Sequence, residues 1–221
     1  MEIQNNKTLN ILNLNDFEEL FKSLGENYKT KDLDKLNKEL IKNEVEVSFL
    51  DKEILEKQEY HRTYFQVSLG LINSVKDKIQ FIENNFDKLN DWWHVDQLQQ
   101  FINKDLDFDY VFEKAKEYTQ DKRQFVRRWG YVIFMPTLVK SNKAIKLFEL
   151  FKNNDEYYDI MAQAWLISYL AIYHPNETIE FIKSQKLEYN IIGKAIQKIC
   201  DSFRISDEYK DKVKNLRKLY K

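Results

Sequence analysis

Three tryptophans, Trp93, Trp129 and Trp165, stand 36 and 36 residues apart. A second row, Trp92, Arg128 and Trp165, is spaced 36 and 37, and Ile145 and Phe148 recur 34 residues later as Ile179 and Ile182. A period of this length, with two helical segments in each unit, is the pattern of an α-solenoid of HEAT-like antiparallel helix pairs. One pair cannot bury its own apolar face. Stacked pairs can, and a small rotation per repeat curves the stack around a concave groove. A side chain at the same place in successive repeats then lines that groove. Trp92, Arg128 and Trp165 are the candidates, because an arginine is a poor member of a core row unless it is paired. Trp129 suits the core, and Trp93, which shares its strict spacing, is expected there too.

Four glycines and two prolines in 221 residues argue for long helices joined by short loops. The expected class is therefore all-α, with one helical repeat domain over residues 1–221. The net charge of −1 hides an asymmetry. Residues 1–91 carry 13 Lys and Arg against 18 Asp and Glu, and residues 186–221 carry 10 against 5. The C-terminal part can face an anion; the N-terminal part is expected to repel one. No charge-free apolar run approaches the length of a membrane span, and MEIQNNKTLN lacks the basic-then-apolar pattern of a signal peptide. A single cysteine, Cys200, excludes an intramolecular disulfide and fits a reducing compartment, most simply the cytoplasm.

Along the chain, NDFEELFKSLG predicts a helix capped by Asn15 or Asp16 and stopped at Gly25, after an irregular start. Residues 30–43 predict a second, with Leu33, Leu36, Leu40 and Ile41 on one face. EVEVSFL, within 44–58, alternates like a strand but has no clear partner, so a helix or an extended loop is expected there. Helices are predicted over 60–75, 77–87, 107–118 and 122–139, with Pro136 ending or kinking the last. Further helices follow over 142–151, over 156–173 with Asp155 as cap, from Pro175 to Ser184, and over 190–203 and 207–219.

The stretch NDWWHVDQLQQFI, residues 90–102, carries the most chemistry. Read as a helix capped by Asn90 or Asp91, it puts Trp92 and Asp96 one turn apart on one face. Val95, Leu98 and Ile102 form a separate apolar stripe. An indole beside a carboxylate suits a cationic ligand, since the ring offers a negative π face and the carboxylate a full charge. The competing reading makes both tryptophans core and leaves Asp96 solvated.

Four segments resemble the DNA alkylation repair family of HEAT-like glycosylases (AlkD-like): WWHVD at 92–96, FVRRWGYVIF at 125–134, MAQAWLISYLAIYHP at 161–175 and GKAIQKICDSFRIS at 193–206. The likeness runs from about residue 75 to the end, so 76–221 are the matching repeats and 1–75 are divergent N-terminal helices. The resemblance implies a monomer with a basic groove for alkylated double-stranded DNA. It also implies hydrolysis of the N-glycosidic bond of cationic N3- or N7-alkylated purines. The family's catalytic acid follows a tryptophan by four positions, which matches Asp96 after Trp92. Its groove arginine matches Arg128, and its second groove tryptophan matches Trp165. Arg127, Arg128 and the preceding Lys122 and Arg123 are the expected contacts to DNA phosphates. Ile167 and Ser168 stand where relatives often carry a basic residue. Two alternatives remain open: a nucleic-acid-binding homologue with little or no glycosylase activity, and a solenoid whose groove takes a protein partner.

Other sites have little support. His61, His94 and His174 show no metal-ligand spacing, so no metal is expected. No glycine-rich phosphate loop occurs, so no nucleotide cofactor is expected. Cys200 lies among apolar residues and is expected as a buried thiol. The closing run KDKVKNLRKLYK is expected as a solvated last helix, with phosphate contact at the groove end as a second reading.

Overall fold

The computed structural model describes residue 11 and residues 13–25, 27–102 and 107–220, which fall into two compact units, residues 1–88 and 89–221. The expected irregular start over residues 1–10 lies outside the described residues. Every regular element among the described residues is an α-helix or a short 3-10 helix. The fold is all-α with packed helix pairs, as in an α-solenoid.

The first unit contains α1 (Leu14–Lys22), α2 (Thr30–Lys42), α3 (Gln58–Leu71) and α4 (Val75–Asn84). The first cap is Asn13, not Asn15 or Asp16; its Oδ1 accepts the Asp16 N–H at 3.1 Å, and the earlier start places Phe17 in the core. The EVEVSFL alternation has a simple cause. Val45 and Val47 are buried and Glu44 and Glu46 exposed along an irregular segment that leads into the 3-10 turn Ser48–Leu50. The helix predicted over 60–75 stops at Leu71, and Ser74 caps the next, its hydroxyl accepting the Asp77 N–H. Asn37 is buried on the α2 face, where only apolar residues were expected; it donates to Gln66 and accepts from Thr63, both on α3.

The second unit begins with α5 (Trp92–Asp96), followed by α6 (Phe108–Tyr118), α7 (Gln124–Val132), α8 (Tyr157–Tyr173), α9 (Pro175–Lys183), α10 (Tyr189–Asp201) and α11 (Asp207–Leu216). Helices α5, α7, α8 and α10 pack side by side in that order. Helices α6, α9 and α11 back them, against α7, α8 and α10 respectively. This two-layer order is what the 36-residue period requires, because each period supplies one lining helix and one backing helix. Helix α8 is apolar over most of its length, but only nine of its 17 residues are buried, and Tyr157, Tyr158, Met161 and Trp165 keep some exposure.

Some boundaries shift. Helix α7 ends at Val132, and a turn with a cis Met135–Pro136 bond leads to the 3-10 turn Leu138–Lys140. Residues Asn142–Glu149 form 3-10 rather than α-helix. Asp155 does not cap α8; Glu156 holds the cap position, and Asn154 Oδ1 accepts its N–H at 2.7 Å. Cys200 is only partly buried, because the core face of α10 is filled by Ile191, Ile192, Ala195, Ile196 and Ile199.

Candidate functional site

The stretch 90–102 folds as a very short α-helix, α5, continued by the 3-10 turn Leu98–Phe101. Asp91 is its cap, with Oδ1 accepting the Trp92 N–H at 2.6 Å. At the other end Gln99 Nε2 donates to the Asp96 carbonyl and Gln100 Nε2 to that of Gln97, both at 3.1 Å. These two contacts tie the end of the helix to the 3-10 turn that follows. Val95, Leu98 and Ile102 are fully buried, which anchors the turn and turns Trp92 and Asp96 away from the core. Trp93 departs from expectation. It is only partly buried, its ring edge-on to His94 with centroids 4.1 Å apart, whereas Trp129 is fully buried.

A cavity of about 410 Å³ opens between these helices. It is lined by Trp92 and Asp96 from α5, Arg128 from α7, Tyr157, Tyr158, Met161 and Trp165 from α8, and Lys198 from α10. The structure thus brings together all four residues of the expected row and its acid. Trp92 is 46% and Tyr157 58% exposed, so both border the mouth. Asp96 and Arg128 meet as a bidentate pair, Nε to Oδ1 at 2.9 Å and Nη2 to Oδ2 at 2.8 Å. Arg128 Nη1 also donates to the Tyr158 carbonyl at 3.2 Å. The pair accounts for two of roughly four lone-pair positions on the carboxylate, so Asp96 can still accept from a water or ligand.

Arg127 takes a different place from its neighbour. It is buried, its Nε donating to Asp159 at 2.5 Å and its Nη1 to the carbonyls of Asp121 and Lys122 at 2.8 and 2.9 Å. Its Nη2 donates to Glu156. Four of its five N–H groups are thereby engaged inside the protein, which suits a brace between α7 and α8 rather than a phosphate contact. Lys122 and Arg123 are exposed on the turn before α7 and do not line the cavity, and Arg123 forks onto Asp121.

Lys198, Tyr157, Tyr158 and Met161 were not singled out from the sequence. A signal existed for the last three, which precede Trp165 by eight, seven and four residues on one helix, a spacing that returns to the same face. Lys198 offered less, being one basic residue among 35. Its ammonium lies 5.9 Å from the Trp165 ring centroid. Burial lowers its pKa below that of an ordinary lysine, and the Arg128 guanidinium adds to this, while Asp201 and Asp96 oppose it.

Among the described residues no cluster of three His, Cys, Asp or Glu side chains could hold a metal, and no helix is long and apolar enough to cross a membrane. Comparison with curated proteins and with solved structures finds no match. The family model for DNA alkylation repair enzyme matches residues 12–199, most of the chain and both compact units. The match extends into the N-terminal helices, which the resemblance over residues 76–221 does not cover, and the chain therefore belongs to the DNA alkylation repair enzyme family.

Proposed function

We propose that this protein is a DNA glycosylase that hydrolyses the N-glycosidic bond of cationic N3- and N7-alkylated purines in duplex DNA. The observation that carries the reading is the convergence of Trp92, Asp96, Arg128 and Trp165 on one cavity. A cationic alkylpurine is already a good leaving group, so a strong general acid is not required. The demand falls on the sugar, where an oxocarbenium ion develops and a water must attack. Asp96 supplies the negative charge and a free lone pair for that water, and Arg128 holds the carboxylate in one orientation. Trp92 and Trp165 offer π faces to the cationic base and the sugar. Lys122 and Arg123, exposed before α7, are the candidates for phosphate contacts outside the cavity.

A second reading rests on the same ion pair. Arg128 neutralises Asp96 directly, and a carboxylate held in this way could belong to a DNA-binding homologue that does not excise. Incubating the protein with duplex containing 7-methylguanine and measuring released base separates the two. Release well above the spontaneous rate is expected. Salt-sensitive DNA binding without release supports the second reading, and no DNA binding even at low salt removes both.

A further inference from the structure

The cavity contains one nucleophile that hydrolysis at Asp96 does not use. Lys198 is the only amine among the lining side chains, and it projects from α10 into the space that Asp96, Arg128 and Trp165 share. A lysine that served only to neutralise a phosphate would do so best from a solvated position as a full ammonium. Lys198 is instead partly desolvated, over an indole face and in the field of a second cation. Burial, aided by the Arg128 guanidinium, outweighs the opposing Asp201 and Asp96 carboxylates and holds the amine below the ordinary lysine range, which raises the share of free base available to attack a carbonyl carbon.

Removal of a purine leaves a deoxyribose whose ring-opened form carries an aldehyde at C1′. We infer that Lys198 condenses with this aldehyde, so that the protein holds its abasic product as an imine. The inference takes its carbonyl substrate from the proposed excision reaction and rests on that reading for its place in the cycle. The free Nζ lone pair adds to C1′, and the carbonyl electrons move to oxygen. A proton passes from nitrogen to that oxygen, and the carbinolamine loses water as the C=N bond forms. Nothing is oxidised or reduced, and water reverses the step. Trp165, beside the amine, packs against the vacated sugar, while burial of Lys198 disfavours its protonation before attack.

The test uses the whole chain and a duplex with a preformed abasic site, so it does not depend on excision. Sodium borohydride reduces any imine to a stable secondary amine, and the cross-linked peptide is located by mass spectrometry. The expected result is a covalent protein–DNA adduct mapping to Lys198. It should fall at least tenfold in Lys198→Arg, which keeps the charge and therefore the phosphate attraction. An absent adduct, or one that maps to other lysines, overturns the inference even if Lys198→Arg folds poorly, because the mapping is made on the unaltered chain. An adduct at Lys198 from a protein that releases no 7-methylguanine would sink the glycosylase reading and leave the imine standing.

Discussion

Replacing Arg127 with methionine separates bracing from DNA contact at adjacent positions of one helix. Asp159 is 1% exposed, and Arg127 donates to it at 2.5 Å. Without the guanidinium, Asp159 keeps Asn154 Nδ2 at 2.8 Å as its remaining donor, and the carbonyls of Asp121 and Lys122 lose theirs. Breaking a buried pair from one side costs about 3–5 kcal/mol, because the other charge stays behind uncompensated. For a unit of this size that corresponds to a fall in Tm of roughly 10–15 °C. Urea unfolding of Arg127→Met should show a lower midpoint at unchanged slope. The deficit should also depend on pH. Burial holds the Asp159 carboxyl above its ordinary value even beside Arg127, and losing Arg127 moves it further up. A raised carboxyl destabilises the fold above its unfolded pKa of about 3.9, and that penalty vanishes as pH falls through the folded value. The variant's deficit is therefore larger at pH 7 than near pH 4. The salt slope of DNA binding by the folded variant should be unchanged. A variant of normal stability whose slope drops by about one would refute the bracing role.

Three other perturbations follow from the geometry. Trp92→Ala should slow excision at least tenfold while changing stability by no more than about 1 kcal/mol, since the ring is 46% exposed; a large fall in urea midpoint would contradict its place at the mouth. Gly130→Ala should destabilise by about 1–3 kcal/mol, because the added Cβ would lie 2.8 Å from Thr119 Cγ2 and 3.1 Å from the Thr119 nitrogen; an unchanged melting curve would show that α6 and α7 can separate without cost. In the first unit, Asp34 is pushed up by burial, but hydrogen bonds from Arg62 and Gln66 outweigh this and hold its carboxyl below the ordinary range. Stability from that contact is present above the unfolded pKa and lost as pH falls through the lower folded one. Asp34→Asn should flatten the decline in urea midpoint between pH 5 and pH 3, and an unaltered decline would assign the acid sensitivity elsewhere.

The period of 36 made the lining row legible because a repeat places equivalent residues on equivalent helices. It put Arg128 in the row, but it did not show that Arg127, expected beside it at DNA phosphates, is held by Asp159 and Glu156 at the start of α8. It misled at Trp93. Shared spacing with Trp129 predicts the core, but α5 is a five-residue turn, too short to repeat the burial of the longer α7. The apolar stripe of α2 gave the helix but not Asn37, whose burial depends on Gln66 and Thr63 on another helix. Lys198 belongs to the same class of omission. Its character comes from Trp165 and Arg128, more than 30 residues away in sequence, and nothing in its local context marks it among the other lysines.

In the proposed reaction Asp96 stabilises the sugar cation during hydrolysis. Its role is measured by single-turnover release of 7-methylguanine from duplex DNA by the wild-type protein and by Asp96→Asn. The substitution keeps the shape and removes the charge. Measurable release is expected from the wild type and a fall of about 100-fold or more in the variant, with the duplex still bound. Equal rates in the two proteins would contradict it.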